Sequence, residues 1–177
     1  MLKPWREIDS KELIATPSFT LREHQRIHPT SGRSMRFYVV DTAPWVNVIP
    51  ITDEGKVVMV RQYRHGPRTF SLECPGGIVH PGEQPVEAAR RELLEETGFE
   101  AKAIEPIGEV HTSPAILDHM THFFLAREVR PIREPRPDAG EDLELVTHSI
   151  DEIEGLIRCG EITHSQVICA FHFLRRP

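Results

Sequence analysis

The sequence lacks any apolar run of the ~18 residues that a membrane-spanning helix requires, and its first residues, MLKPWREIDSKE, are too polar for a secretory signal. Cysteine is scarce: there are three, without a C-x-x-C pair, which favours a reducing cytoplasm over a disulfide scaffold. The net charge of −6 shows no excess of positive charge, which argues against a broad nucleic-acid-binding surface. We therefore expect a cytoplasmic protein with neither a membrane nor a nucleic acid as partner.

The chain has enough residues for one good hydrophobic core with a small appendage. It contains 177 residues, of which 39% are hydrophobic. The negative charge does not exclude a small anionic substrate, because bound metal ions can reverse the local field.

One helix is strongly indicated between Pro85, which suits a first helical turn, and Gly98, which suits the position just past a helix end. Apolar or small residues recur between them at helical spacing and predict a core-facing stripe: Val86, Ala89, Leu93 and Thr97. Three carboxylates fall together on the adjacent face: Glu92, Glu95 and Glu96. Like charges this close repel one another. A hard divalent cation removes that repulsion, so the helix is a candidate metal site.

A glycine-rich loop, Cys74-Pro75-Gly76-Gly77, precedes this helix. Paired glycines let the backbone approach another group closely, and a carbonyl of such a loop can serve as an additional metal ligand. The sequence contains no Cys or His cluster with zinc spacing that would compete for this role.

The spacing of these residues follows a longer pattern. Gly77 is followed after five residues by Glu83, and after seven more by the run Arg91-Glu-Leu-Leu-Glu-Glu-Thr-Gly-Phe99. The segment resembles the Nudix box, Gly-x5-Glu-x7-Arg-Glu-U-x-Glu-Glu-x-Gly-U with U apolar, at every fixed position. The resemblance implies a pyrophosphohydrolase that acts on a nucleoside diphosphate linked to another group. It also implies Mg²⁺, or alternatively Mn²⁺, as the cofactor.

The resemblance assigns roles to the residues of the box. The implied metal ligands are the helix carboxylates and the carbonyl before the box: Glu92, Glu95, Glu96 and Gly76. Glu83 and Arg91 are implied as supports that orient the carboxylates through charged hydrogen bonds. Glu92 and Glu96 are also the expected catalytic carboxylates.

Similarity beyond the box points to the ADP-ribose pyrophosphatase and nucleotide-sugar hydrolase branch. The segments that carry it are VRQYR at 60–64, LECPGG at 72–77, and a proline sixteen residues beyond Gly98. The implied substrate-binding residues are Arg61, Arg64, Glu73 and Pro114. The branch often continues its Ser-Pro with glycine and an acidic residue, whereas this chain reads Ala-Ile-Leu-Asp at 115–118, so GDP-mannose and other nucleotide sugars remain open. For Arg61 and Arg64 the alternative is an exposed strand face, and for Glu73 it is structural pairing.

The general base is expected from the acidic loop at residues 136–142, because enzymes that resemble this chain often supply a glutamate from a late loop. Glu141 is the first candidate, with Asp138 and Asp142 as alternatives. A glutamate of the box is a further alternative, as is a loop that is merely solvated.

The order of predicted elements fits an α/β (α+β) fold, the Nudix α/β/α sandwich with a mixed sheet. Strands are predicted near 46–51, 57–63, 70–74, 104–110, 121–127 and 143–149, and helices over 151–158 and 165–175, with Asp151 as a cap. Residues 1–44 contain two further extended stretches, 20–28 and 35–41, around Pro-Thr-Ser-Gly, which predict an antiparallel hairpin. This hairpin resembles the N-terminal sheet that ADP-ribose pyrophosphatases use to form a homodimer, often by exchanging strands, so residues 1–44 are expected to dimerise. The alternative is a hairpin that folds back on its own domain. Residues 45–177 are expected to form the hydrolase domain.

The leading hypothesis is metal-dependent hydrolysis of the diphosphate bond of ADP-ribose or a related nucleoside diphosphate sugar, giving nucleoside monophosphate and sugar phosphate. An alternative is a Nudix hydrolase for NADH, dinucleoside polyphosphates or damaged nucleotides. A third possibility is a Nudix-fold module that binds ADP-ribose without cleaving it. Such modules typically lose box glutamates, and this chain keeps all of them.

Overall fold

The structure, a computed structural model, describes residues 1–175. The chain divides into two compact units. The first comprises Met1–Ala43 and His111–Met120, and the second comprises Pro44–Val110 and Thr121–Pro177. The sequence did not predict that residues 111–120 belong to the first unit.

The first unit is built on a three-stranded antiparallel sheet. Its strands are β1 (Arg6–Ala15), β2 (Thr20–Ile27) and β3 (Ser34–Asp41), in the order β1-β2-β3. The predicted hairpin is confirmed as β2 and β3, and the turn between them contains Gly32 at φ +70°. β1 was not predicted, because every one of its residues is exposed and it shows no apolar face.

The second unit contains a mixed sheet. Its strands are β4 (Trp45–Thr52), β5 (Val57–Arg64), β6 (Thr69–Glu73), β7 (Phe99–His111), β8 (Met120–Pro131) and β9 (Leu143–His148). The order is β6-β5-β4-β8-β7, with β9 paired to β5. β4 and β8 are parallel, whereas β5 runs antiparallel to β4, β6 and β9.

Three helices complete the second unit: α1 (Pro85–Thr97), α2 (Ile150–Cys159) and α3 (Ser165–Leu174). Successive sheet residues alternate between two buried clusters, as the period of a strand requires. Phe124 packs in the cluster that contains Leu93 of α1. Its neighbour Phe123 packs in the cluster that contains Ile153 of α2 and Phe171 of α3. The sheet therefore lies between α1 and the α2–α3 pair, which confirms the predicted α/β/α sandwich.

The predicted N-terminal cap of one helix is wrong. The predicted cap of α2, Asp151, lies inside the helix, and the cap is Ser149, whose side chain accepts a hydrogen bond from the Glu152 N–H at 3.2 Å. β8 continues to Pro131, four residues beyond the predicted end of that strand at 127. Of the helices in the described part of the chain, none is long and apolar enough to cross a membrane.

Candidate active site

Helix α1 begins and ends where its sequence predicts. Pro85 occupies the first turn, and the N–H of the preceding Gln84 donates to the Glu87 carboxylate at 3.2 Å. Gly98 closes the helix at φ +74°, a conformation that favours glycine. Leu93 is buried at 1% exposure and anchors the helix to the sheet. This anchoring fixes the direction in which the neighbouring glutamates project.

The glycine loop lies between β4 and α1. Backbone bonds of 2.8 Å join Val46 N–H to the Gly77 carbonyl and Val48 N–H to the Pro75 carbonyl. A Cβ on Gly76 would lie 2.2 Å from the Val46 carbonyl oxygen, and one on Gly77 would lie 2.4 Å from Glu92 Oε1. Any larger residue would therefore push the loop away from the strand or displace the Glu92 carboxylate.

Arg91 links the carboxylates of the loop and helix. Its Nε and Nη2 donate to the two oxygens of Glu83 at 3.0 Å, and Nη1 donates to Glu92 at 2.7 Å and Glu95 at 3.1 Å. Nη2 also donates to the Ile78 carbonyl at 2.9 Å. The hydrogen bond from Arg91 holds the pKa of Glu83 below its usual value. Arg91 and Glu83 thus have the contacts that an orienting role requires, and the role itself stays a prediction.

Two of the helix carboxylates are buried. Glu96 is 1% exposed and accepts a 2.9 Å hydrogen bond from the Gly76 N–H. Burial raises the pKa of Glu96 to about 9, against the effect of that N–H. Glu92 is 8% exposed, and burial also raises its pKa despite the hydrogen bond from Arg91. Buried carboxylates are costly unless a cation or hydrogen bonds compensate them, and within residues 1–175 Glu96 accepts a single backbone hydrogen bond.

A second charged pair joins β5 to β6. Arg64 donates to both oxygens of Glu73, from Nε at 2.8 Å and from Nη2 at 2.6 Å. Glu73 is 2% exposed. Burial works to raise the pKa of Glu73, but the hydrogen bonds from Arg64 and the nearby His164 outweigh it, and the pKa is lowered. Glu73 therefore stays charged and fixes the Arg64 guanidinium.

The profile of the NUDIX domain family matches residues 41–171 of the chain. The chain belongs to the Nudix family. It is 33% identical over 146 residues to an ADP-ribose pyrophosphatase of Bacillus subtilis (strain 168), covering 82% of this chain and 79% of that protein. It is 32% identical over 146 residues to a methanol dehydrogenase activator of Bacillus methanolicus, with 82% and 79% covered. A crystal structure of an ADP compounds hydrolase superposes with a TM-score of 0.88 at 21% identity, covering 99% and 94% of the chains, which supports the fold.

Nudix hydrolases depend on a divalent metal, and the donor set of this chain suits one. Carboxylate and carbonyl oxygens are the ligands of hard divalent cations, and the burial of Glu92 and Glu96 creates a need for positive charge. Within residues 1–175 no group of three acidic, His or Cys side chains is arranged to hold a metal ion. Glu92 and Glu95 instead accept hydrogen bonds from Arg91. The Gly76 N–H donates a hydrogen bond to Glu96, whereas the predicted role of Gly76 as a metal ligand uses its carbonyl oxygen.

Residues of the second unit line a cavity of about 670 Å³. Its walls come from the β5–β6 hairpin, from Gly140 and Glu141, and from the segment that leads into α3. The charges of Arg64 and Glu141, which both line it, act on the pKa of Glu96 in opposite directions. The charges of Arg64 and Glu141 thus reach Glu96, whereas the box carboxylates themselves are not among the residues that line the cavity. A hydrogen bond of 2.9 Å from the Glu141 N–H to the Asp138 carbonyl closes the turn that carries it.

The two arginines predicted to bind substrate lie apart. Arg64 lies three positions after Arg61 on β5, and an odd number of positions puts side chains on opposite faces of a strand. The Arg61 guanidinium lies 5.5 Å from the ring centre of Phe70 and 3.9 Å from a Glu144 oxygen. Arg64 lines the cavity and Arg61 does not.

Pro114 belongs to the first unit, in the segment 111–120. The carbonyl of the preceding Ser113 accepts hydrogen bonds from the N–H groups of Ile116 at 3.0 Å and Leu117 at 2.8 Å. Ile116 in turn accepts from Val40 of β3 at 2.8 Å. Pro114 thus begins a tight turn that is joined to β3, and its predicted contact with substrate stays a prediction.

His164 is a site residue that the sequence did not single out. Its Nε2 lies 3.5 Å from a carboxylate oxygen of Glu73, and its side chain lines the cavity. A lone histidine before an apolar helix carries no local signal of such a contact. Only the approach of α3 to the end of β6 reveals it.

Proposed function

We propose that the chain hydrolyses the diphosphate bond of ADP-ribose or a related nucleoside diphosphate sugar, giving nucleoside monophosphate and sugar phosphate. The observation that carries the proposal is the complete Nudix box with buried Glu92 and Glu96, together with a cavity lined by Arg64. The predicted class, a Nudix pyrophosphohydrolase, is confirmed by the family match and by the named relatives.

The box residues would hold the cofactor, Mg²⁺ by preference and Mn²⁺ as a substitute. The proposed ligands are Glu92, Glu95, Glu96 and the Gly76 carbonyl. When bound, the cation neutralises diphosphate charge and lowers the pKa of a bound water. The assignment is supported by the oxygen-only donor set and by the nearly full burial of Glu96.

Arg64 is proposed to hold a phosphate oxygen. Two of its nitrogens are committed to Glu73, and Nη1 makes no hydrogen bond to any residue between 1 and 175. That nitrogen leaves donors for a substrate while Glu73 fixes the plane of the guanidinium. Arg61, which faces Phe70 and Glu144, is proposed to contact substrate only outside the cavity.

Glu141 is proposed as the general base that accepts the proton of the attacking water. It lines the cavity, and its charge acts on both Glu92 and Glu96. A base must reach the proton that it abstracts, and Glu141 is the carboxylate of the 136–142 loop that borders the cavity. Asp138 accepts the turn bond through its backbone and remains the second candidate.

A substrate panel tests the reaction. We would incubate the protein with Mg²⁺ and ADP-ribose, ADP-glucose, GDP-mannose, NADH or diadenosine polyphosphates and identify the products by mass. Nucleoside monophosphate plus sugar phosphate from a sugar nucleotide supports the proposal. Turnover of NADH or dinucleoside polyphosphates alone favours the alternative substrates. No turnover with Mg²⁺ or Mn²⁺, together with binding of ADP-ribose, favours a binding module.

Substitutions of single glutamates test the proposed roles of Glu96 and Glu141. Glu96→Gln should lower kcat by at least about 100-fold and weaken Mg²⁺ binding measured by calorimetry, because one ligand loses its charge. Glu141→Gln should lower kcat while Mg²⁺ binding stays unchanged. Glu54→Gln, at an exposed turn outside the site, is the matched control. An unchanged kcat for Glu141→Gln would transfer the base role to Asp138, Asp142 or the helix.

The chain is further proposed to act as a cytoplasmic homodimer that uses its first unit, without nucleic-acid or membrane partners. The free cysteines suit a reducing compartment. The first unit exposes several large apolar side chains that a second copy would cover: Ile8, Leu13, Ile14, Phe19, Met35 and Tyr38. Light scattering at micromolar concentration tests the assembly, and a monomeric mass would contradict it.

A further inference from the structure

His164 occupies an unusual position for its residue type. It is the cap residue of α3, where Ser, Thr, Asp and Asn are favoured because their side chains bond the first N–H groups. The His164 side chain makes no such bond, and only its backbone carbonyl serves the helix, by accepting from the Ile168 N–H at 3.2 Å. The imidazole ring is therefore available for another contact.

That contact is the Glu73 carboxylate. His164 Nε2 lies 3.5 Å from Glu73 Oε2, the same oxygen that accepts from Arg64 Nη2 at 2.6 Å. At 3.5 Å the ring acts through its dipole and by covering the carboxylate, since an ordinary hydrogen bond is shorter. Glu73 is 2% exposed, so little water competes with either partner.

The ring orientation follows from the other nitrogen. His164 Nδ1 is buried and has no hydrogen-bond partner within the part of the chain that the structure describes. A neutral imidazole carries its hydrogen on one of its two nitrogens. Leaving a buried N–H at Nδ1 without an acceptor would cost more than leaving a lone pair there without a donor. The hydrogen therefore belongs on Nε2, which faces Glu73. Burial lowers the pKa of His164, which agrees with a neutral ring whose Nε2–H dipole faces Glu73.

We propose that His164 is a positioning residue: it holds the Glu73 carboxylate in place and thereby fixes the Arg64 guanidinium at the cavity wall for substrate binding. The inference rests on the proposed function in one respect, that Arg64 binds the substrate. The imidazole ring itself takes no part in the chemical step, so replacing His164 should change substrate binding only by altering the position of Arg64.

Kinetics test this with three variants. His164→Phe removes the N–H and keeps an aromatic ring, His164→Gln keeps a donor near the position of Nε2, and His172→Phe makes the same exchange at an exposed site of α3. His164→Phe should raise KM for ADP-ribose about tenfold with little change in kcat, since the lost contact supports binding. His164→Gln should recover most of this loss, and His172→Phe should match the wild type.

A double-mutant cycle separates positioning from general damage. In an Arg64→Met background, His164→Phe should change kcat/KM by less than about twofold, because the group that it positions is gone. Additive losses would overturn the proposal, and so would a His164→Gln variant as impaired as His164→Phe.

A measurement without turnover keeps the test independent of the proposed reaction. The Arg64 Nε–H signal, assigned by its loss in Arg64→Lys, should exchange slowly with water in the wild type because it is bonded to buried Glu73. Exchange should accelerate at least about tenfold in His164→Phe and remain slow in His164→Gln and His172→Phe. Equal exchange in all four proteins would refute the positioning role. If the wild type turned over no substrate, the proposed function alone would fail.

Discussion

Alanine at Gly76 should destabilise the whole fold, whereas alanine at the adjacent Gly77 should mainly impair activity. A Cβ on Gly76 would lie 2.2 Å from the Val46 carbonyl oxygen and 2.9 Å from the Asn47 Cα, both in the backbone of a buried strand. Neither atom can move without the sheet. A Cβ on Gly77 would instead meet the carboxylate of Glu92, the end of a flexible side chain.

The magnitudes follow from these neighbours. Forcing extra volume into a packed core costs about 1–3 kcal/mol. Moving the loop away from β4 also weakens two backbone hydrogen bonds of 2.8 Å, to Val46 and Val48, at about 1 kcal/mol each. We expect a loss of about 3–5 kcal/mol for Gly76→Ala. For Gly77→Ala we expect under about 1.5 kcal/mol, with activity lowered about 100-fold because Glu92 is displaced.

Urea denaturation measures the free energy of unfolding, and kcat/KM on ADP-ribose measures activity. Gly155→Ala in α2 is the control, because no atom lies within 4 Å of its added Cβ and alanine favours a helix. It should raise stability by about 0.8–1 kcal/mol and leave kcat unchanged. Wild-type stability of Gly76→Ala would refute the reasoning, as would equal destabilisation by both loop variants.

Three further predictions concern other contacts. Ser149→Ala should lower the free energy of unfolding by about 1 kcal/mol through loss of the α2 cap and leave kcat unchanged; a loss below 0.3 kcal/mol, roughly the noise of such a measurement, would contradict the cap. Arg91→Lys should lower kcat and Mg²⁺ affinity about 10–100-fold, because the three donors of an ammonium group cannot replace the five hydrogen bonds of the forked guanidinium; wild-type affinity by calorimetry would refute this. Glu73→Gln should cost about 2 kcal/mol at pH 7, less than a fully buried pair because the Arg64 side chain is 42% exposed. Since the folded pKa of Glu73 lies below its usual 4.5, its stabilisation is present above that pH and is lost as pH falls through the folded value. The difference in free energy of unfolding between the wild type and Glu73→Gln, measured by denaturant titration, should therefore decrease toward pH 3. A difference that does not change with pH would contradict the ion pair.

Local chemistry explains why parts of the fold are predictable. Pro85 and Gly98 mark the ends of α1 by their own backbone limits, so that helix follows from sequence alone. The start of α2 was predictable too, because Ser149 with Glu152 three residues later is a capping-box pattern. β1 was not, since all its residues are exposed and its order depends on pairing with β2.

Some contacts of the candidate site are likewise predictable from sequence, and others are not. Glu92, Glu95 and Glu96 share one helical turn, so their proximity follows from spacing. The separation of Arg61 from Arg64 also follows from spacing, once both are placed on one strand. The contact of Arg64 with Glu73 depends on the register of β5 and β6, and that of His164 depends on helix packing. Such contacts join distant segments, and a single sequence contains no local signal for them.

Backbone hydrogen bonds connect the start of the acidic loop and the segment before it to α1 and its cap Gly98. The Arg136 N–H donates to the Glu95 carbonyl at 2.7 Å, and the Ile132 N–H donates to the Gly98 carbonyl at 2.9 Å. Backbone bonds do not depend on which side chain a residue carries, but they do depend on how many residues lie between them. During divergence, substitutions at 132–137 other than proline should therefore be accepted readily, whereas an insertion or deletion between Arg136 and Glu141 should be selected against.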